Sequence, residues 1–294
     1  MTHVLTLLGE APLPDLRGAL NALGLGEGRA LGPGAAEVSG PLALDREALR
    51  AHFAPLGVEA VPRTATPERT APQLVVFDMD STLIQVEVID ELARLHGIAD
   101  EVAAITRRAM NGELDFEGSL RARVALLEGL EEERALGLAA ALPLQHGAER
   151  LVAVLRALGV VTAVFSGGFT FAADVVRARL RLDAARANVL EAADGKLTGQ
   201  VIGDVVTPER KAEYLRAFAD AHGIPVSATV AVGDGANDAL MLEAAGLGVA
   251  FHAKPFLRAR ADARIDMGGL DRLLYLFGLD DAAQERLAAS SRSA

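Results

Sequence analysis

Val75-Val76-Phe77-Asp78-Met79-Asp80-Ser81-Thr82-Leu83 is an apolar run that closes on two carboxylates with one residue between them. Read as a buried strand, its period of two sends Asp78 and Asp80 to the same side at the carboxyl end. An open α/β sheet builds its site at that end. Two carboxylates held together are costly unless a cation, a shared proton or phosphoryl chemistry compensates them. The stretch therefore predicts metal-assisted phosphoryl transfer.

Downstream, Leu83 to His96 has helical spacing with Gly97 as a stop, and Glu101 to Met110, Phe116 to Glu128 and Glu131 to Leu142 predict three more helices. Four helices without a strand cannot belong to a regular alternation, so they read as a helical cap at about 84–145, inserted over the sheet edge. From Gln145 the alternation begins. Helix Ala148 to Leu158 leads into strand Val160 to Phe165, and Ser166-Gly167-Gly168 turns the chain into helix Phe169 to Leu180. Strand Ala187 to Leu190 is followed by an Asp194-Gly195 hairpin turn and returning strands within Leu197 to Val206. Thr207 and Pro208 are the N-cap and first residue of a helix reaching about His222. Strand Thr229 to Val232 precedes Gly233-Asp234-Gly235-Ala236-Asn237-Asp238 and helix Ala239 to Ala245; Gly248 to Phe251, Ala263 to Met267 and Leu270 to Phe277 finish the sheet and close it with a helix. The final Ser, Arg and Ala residues read as a frayed tail. The order predicts an α/β fold, a doubly wound and mostly parallel sheet over residues 73–294.

Upstream, residues 1–66 read as a separate small α+β module. His3 to Leu8, Ala36 to Val38 with its neighbours, and Val58 to Val61 are strand-like, while Leu13 to Leu23 and Asp45 to Phe53 are helix-like, an order compatible with a ferredoxin-like βαββαβ unit whose middle strands are weakly marked. Residues 67–72 read as a linker. The module is regulatory or dimerising on this reading, with a homodimer formed through it as the expected assembly.

Composition narrows the function. Half of the 294 residues are apolar, 51%, enough for a large Ala, Leu and Val core. The net charge of −11, from 29 Lys and Arg against 40 Asp and Glu, argues against a general affinity for nucleic acid or anionic membrane. With no cysteine, thiolate catalysis and Cys-ligated metals are excluded. No apolar run approaches about 18 residues and no signal-peptide pattern opens the chain, so a cytoplasmic location is expected.

Four stretches follow strands and should converge: Asp78 to Thr82, Ser166 to Gly168, the helix start with Lys211, and Gly233 to Asp238. Asp78 is placed to attack phosphorus and Asp80 to move the proton, with amides of the turn after Asp80 cradling phosphoryl oxygens. Mg²⁺ takes hard oxygen ligands, for which Asp78 and Asp234 are the pair, with Asp238 orienting Asp234 or a metal-bound water from behind. Ser166 could offer its hydroxyl, and Gly167 its amide, to phosphate. Lys211 in a first helical turn opposes the macrodipole, which an anionic partner would repay. Arg107, Arg108, His96, His146, His222 and His252 are read as structural.

With these four motifs in this order, the chain resembles the haloacid dehalogenase-like superfamily of aspartyl-phosphate hydrolases over about residues 73–280, and within it the phosphoserine phosphatases. Asp78-Met79-Asp80-Ser81-Thr82-Leu83-Ile84 with Glu87 and Ile89-Asp90-Glu91-Leu92-Ala93, and Asp115 to Val124, carry the closer likeness. The resemblance implies hydrolysis of L-phosphoserine, the last step of a route to serine, with Mg²⁺ as cofactor. It implies the backbone carbonyl of Asp80 as a further metal ligand and Asn237 as a substrate contact. Glu87, Phe116 and Arg123 would recognise the amino acid end, and the chemistry agrees: Glu87 suits an ammonium, Arg123 a carboxylate, and Phe116 excludes water. Some family members carry an ACT-like amino-acid-binding domain, to which residues 1–66 would correspond. Two other functions are compatible with the chain: a phosphotransferase delivering the phosphoryl group to homoserine or another alcohol, and a regulatory amino-acid-binding protein without activity.

Overall fold

The computed structural model describes residues 3–41, 45–64 and 72–292. The expected linker at 67–72 lies, apart from Pro72, outside the described residues. The chain begins with β1 (His3–Leu8), α1 (Arg17–Ala22), β2 (Arg29–Gly32), β3 (Ala35–Gly40), α2 (Arg46–Phe53) and β4 (Glu59–Thr64). Its sheet has the order β2-β3-β1-β4, and β1 runs antiparallel to both neighbours. This is the ferredoxin-like arrangement. Asp45 starts α2 as the sequence suggests, its side chain accepting from the Ala48 amide at 2.8 Å.

The two faces of this small sheet meet different partners. Leu5 and Leu7 pack with Leu20, Leu49 and Phe53 from the helices. Leu8, Leu31, Ala35 and Val61 are instead continuous with the core of the larger unit. Arg272 fastens the junction, donating from Nη2 to the carbonyls of Gly9 and Gly34.

The larger unit continues with β5 (Leu74–Phe77), cap helices α3 (Val88–His96), α4 (Ala99–Met110), α5 (Phe116–Ala125) and α6 (Glu132–Ala140), then α7 (Ala148–Ala157), β6 (Val161–Phe169), α8 (Thr170–Leu180), β7 (Ala184–Ala193) and β8 (Lys196–Ile202). It ends with α9 (Pro208–Ala221), β9 (Thr229–Gly233), α10 (Ala239–Ala244), β10 (Leu247–Phe251), α11 (Pro255–Arg260), β11 (Ala263–Ile265), α12 (Leu273–Leu276) and α13 (Asp281–Arg292). The seven-stranded sheet has the order β11-β10-β9-β5-β6-β7-β8 and is parallel except for β8. β5 lies in the middle. Leu74 and Val76 face the cluster containing α9 and α10, while Val75 and Phe77 face that containing α7 and α8. Both faces are covered, which is why the strand reads as an unbroken apolar run.

Three sequence expectations shift. The helix expected from Leu83 begins at Val88, because the chain first crosses from sheet to cap: Ile84 bridges Leu144 on the returning segment, and Gln145 N–H donates to Leu83 O. Ser166-Gly167-Gly168 prolongs β6 and is not a turn, since Asn188 Nδ2 holds the carbonyls of Gly167 and Gly168. The frayed tail is helical to Arg292. α13 lies against α7, with Leu287 and Ala288 packed on the core.

Candidate active site

β5 delivers Asp78 at the centre of the sheet edge, and the Asp78 amide still donates to Val232 O of β9 at 2.9 Å. That bond places Asp78 beside the loop that follows β9. The chain then tightens: Met79 O accepts the amides of Thr82, Leu83 and Ile84, and the Ser81 amide goes to Val86 O. Those amides are spent within the turn, so the anion cradle expected from them is not formed by Ser81, Thr82 or Leu83. Ser81 sits at φ 57°, a left-handed conformation uncommon outside Gly, and its hydroxyl donates to Glu87 Oε1 at 2.9 Å.

Buried Lys211 is the centre of charge. Thr207 caps α9 by accepting from the Arg210 amide, with Pro208 at the first position, which brings Lys211 onto the first turn. Its Nζ donates to Asp78 Oδ1 at 2.6 Å and to Asp238 Oδ1 at 2.7 Å. Burial alone would lower its pKa, and the two carboxylates more than reverse that, raising it above its ordinary value. Asp238 Oδ2 accepts the amides of Asp234 and Gly235. A Cβ on Gly233 would lie 2.5 Å from the Asp238 carboxyl, so only Gly allows this approach.

Asp78, Asp234 and Asp238 each offer a carboxylate oxygen, all within 4.8 Å of one another. Burial raises Asp78 to about 7, aided by the Asp238 charge and opposed by Lys211. Burial with the charges of Asp78 and Asp238 raises Asp234 to about 8. Hard oxygen donors carrying more negative charge than one lysine neutralises fit a divalent cation. Each oxygen of Asp238 already accepts two hydrogen bonds, which leaves Asp78 and Asp234 as the carboxylates with capacity for it.

Asp80 occupies different surroundings. Its Oδ1 accepts the Val88 amide at 2.8 Å and its Oδ2 the Ser166 hydroxyl at 3.2 Å. Burial, then the charges of Glu87 and Asp78, push it up to about 8. That upward push favours the protonated form, which can donate. Ser166 is thus turned toward Asp80, and its Oγ also accepts the Gly168 amide, so its hydroxyl is held in the wall of the site. A Cβ on Gly168 would come within 2.6 Å of Asp80 Oδ2.

A cavity of about 300 Å³ opens over these groups. Asp78, Asp80, Asp234, Asn237 and Gly167 line it from the sheet side, and Glu87, Phe116 and Arg123 from the cap. Phe116 and Arg123 reach it from α5, whose N-terminus Asp115 caps by accepting from the Gly118 amide. The Arg123 Nε donates to Ser119 O, while its terminal nitrogens have no hydrogen-bond partner among the described residues. Burial pulls its pKa down, and the charges of Asp90, Glu87 and Asp80 oppose that.

The structure therefore brings together every candidate site residue named from the sequence, with Ser166, Lys211 and Asp238 behind the lining. It also adds Asp90, Thr106 and Lys254 to the wall. Lys254 Nζ lies 3.9 Å from Asp234 Oδ2, and its amide donates to Asp234 O. Asn188, almost fully buried, holds Gly167 and Gly168 and accepts the Val206 amide. An Asn inside the apolar strand Ala187-Asn188-Val189-Leu190 was the available signal for it; Lys254 follows β10, a strand end that carried no motif.

Comparison with known proteins agrees with this geometry. Residues 72–246 match the haloacid dehalogenase-like hydrolases. A phosphoserine phosphatase of Idiomarina loihiensis is 53% identical over 201 residues, which cover 68% of this chain and 91% of that protein. The chain belongs to the phosphoserine phosphatase family of haloacid dehalogenase-like hydrolases. A Streptomyces coelicolor member is 51% identical over 234 residues, 80% of this chain, and the match spans only 57% of that longer protein. The crystal structure of a probable phosphoserine phosphatase from Vibrio cholerae, unliganded, superposes with a TM-score of 0.79 at 37% identity, covering 97% of this chain and 88% of that one. That coverage extends the family likeness to the N-terminal module. Among the described residues no helix is long and apolar enough to cross a membrane.

Proposed function

We propose that this chain hydrolyses L-phosphoserine to L-serine and inorganic phosphate through an aspartyl-phosphate on Asp78. One observation carries the reading: a single small cavity has Asp78 and Asp234 at its floor, with Lys211 behind Asp78, and an anion, Glu87, with a cation, Arg123, on its cap wall. Phosphoserine carries those complements, a phosphate, an ammonium and a carboxylate.

Asp78 attacks phosphorus, and the bond to the serine oxygen breaks as Asp80 gives that oxygen its proton. Asp80, now ionised, takes a proton from water, which attacks the aspartyl-phosphate and regenerates Asp78. Val88 N–H and Ser166 Oγ aim Asp80 throughout. Lys211 fixes the Asp78 oxygen that faces away from Asn237 and keeps Asp238 in place. Asp78, Asp234 and the backbone carbonyl of Asp80 would hold Mg²⁺, which when bound supplies positive charge against phosphoryl oxygens. Asn237 and the Gly167 amide are substrate contacts, and Phe116 excludes water.

The reading includes a cytoplasmic enzyme of serine synthesis, residues 1–66 forming a regulatory or dimerising module, and 73–294 the catalytic unit with its cap at about 84–145. Phosphate release from a panel of phosphomonoesters, with Mg²⁺ and with chelator, tests it. Preference for phosphoserine and loss with chelator are expected; equal turnover of simple esters overturns the cap assignment. Product analysis with added homoserine separates hydrolysis from transfer, phosphohomoserine as main product favouring the latter.

A further inference from the structure

Among the described residues a second concavity, of about 880 Å³, lies away from the active site between α7, the end of α8 and α13. Four guanidinium groups line it, those of Arg150, Arg156, Arg179 and Arg181, against the carboxylates of Glu149 and Glu285. That local excess of positive charge stands in a chain of net charge −11. Arg156 and Arg181 side chains have no ion-pair or hydrogen-bond partner among the described residues. Arg150 has Asp271 only at 3.8 Å, and its Nη2 is buried without a hydrogen bond. Arg181 ends α8 at φ 56°, a left-handed position that helix ends ordinarily give to Gly. A long cation is held there against the backbone preference.

Gln85, Leu144, Gln145 and His146 line the same cleft. These belong to the two segments through which the chain leaves the sheet for the cap and returns, joined by the Ile84 to Leu144 bridge. Arg179 Nη1 already ties α8 to the returning segment at Leu142 O, 2.5 Å away. Gln85 is two residues from Glu87 and three from Val88, whose amide donates to Asp80.

We propose that this cleft binds a small molecule bearing two oxyanion groups, phosphate or carboxylate, and that the bound anion restrains the paired crossing segments and so the seating of the cap. Guanidinium forks match both oxyanions. A cleft of about 880 Å³ has room for a small molecule.

The test is calorimetric titration of pyrophosphate, and separately of succinate, into the full chain in chelator. Wild type, Arg156→Ala/Arg181→Ala, Glu149→Gln and Arg123→Ala variants are compared. At least one anion should bind the wild type, the double variant should weaken it at least tenfold, Glu149→Gln should tighten it, and Arg123→Ala should leave it unchanged. Which anion binds identifies the oxyanion. Hydrogen exchange of segments 83–87 and 142–146 should slow on binding. The proposal falls if neither anion binds at millimolar concentration, if the cleft variants leave the affinity unchanged, if the loss follows Arg123→Ala, or if exchange there is unaltered. None of these readouts depends on turnover, so the phosphatase reading stands or falls separately.

Discussion

Lys211 donates from Nζ to Asp78 Oδ1 at 2.6 Å with its side chain wholly buried. The same ammonium holds Asp238, so its removal leaves two buried carboxylates without their cation. Lys211→Met should cost about 3–5 kcal/mol in denaturant unfolding of the metal-free chain and abolish most phosphate release. A stability within error of wild type would show that the carboxylates do not depend on it.

Asp78→Asn preserves shape and removes the attacking oxygen's charge. Phosphate release should fall by at least about 10³-fold, the scale seen when a nucleophile is removed, with circular dichroism unchanged. Substantial residual turnover would move the nucleophile elsewhere.

Arg123→Lys keeps the charge but loses the fork that suits a carboxylate. KM for phosphoserine should rise about 10–100-fold, the worth of one hydrogen bond to a charged group. Turnover of p-nitrophenyl phosphate, which has no carboxylate, should hardly change. Equal losses on both substrates would make Arg123 a structural residue of the cap.

Asp78 and Asp234 are raised to about 7 and about 8 from 3.8, so the metal-free folded chain binds their protons more tightly than the unfolded chain does. Their contribution to stability is therefore greatest below the unfolded value and is lost as pH climbs from about 4 to about 8. A divalent cation binds the ionised carboxylates, so its stabilisation grows across the same window. Melting temperatures measured from pH 5 to 9 with Mg²⁺ and with chelator should diverge as pH rises, and a gap that narrows would contradict the assignment.

The central strand and its acids were legible because a strand buried on both faces leaves an unbroken apolar run, and Asp78 stands where that run stops. The loop after β9 was legible for the same reason. The sequence offers the Ser166 hydroxyl to phosphate, whereas the tertiary fold sets it against Asp80. Asn188 escaped notice because the strand it serves is a neighbour in space and over twenty residues away in sequence. The C-terminal helix was missed because its polar Ser and Arg residues read as solvated, whereas its Leu287 and Ala288 find their partner on α7.

By itself the sequence determined most of the order of strands and helices, the four motifs and the family, because these rest on local periodicity and residue chemistry. Only the tertiary structure decided how charge is distributed among the acids. Asp238 is committed to Lys211 and backbone amides, Asp80 faces the cap, and Asp78 and Asp234 keep the capacity for a cation. Those differences arise from burial and from contacts between distant residues, and no local pattern encodes them.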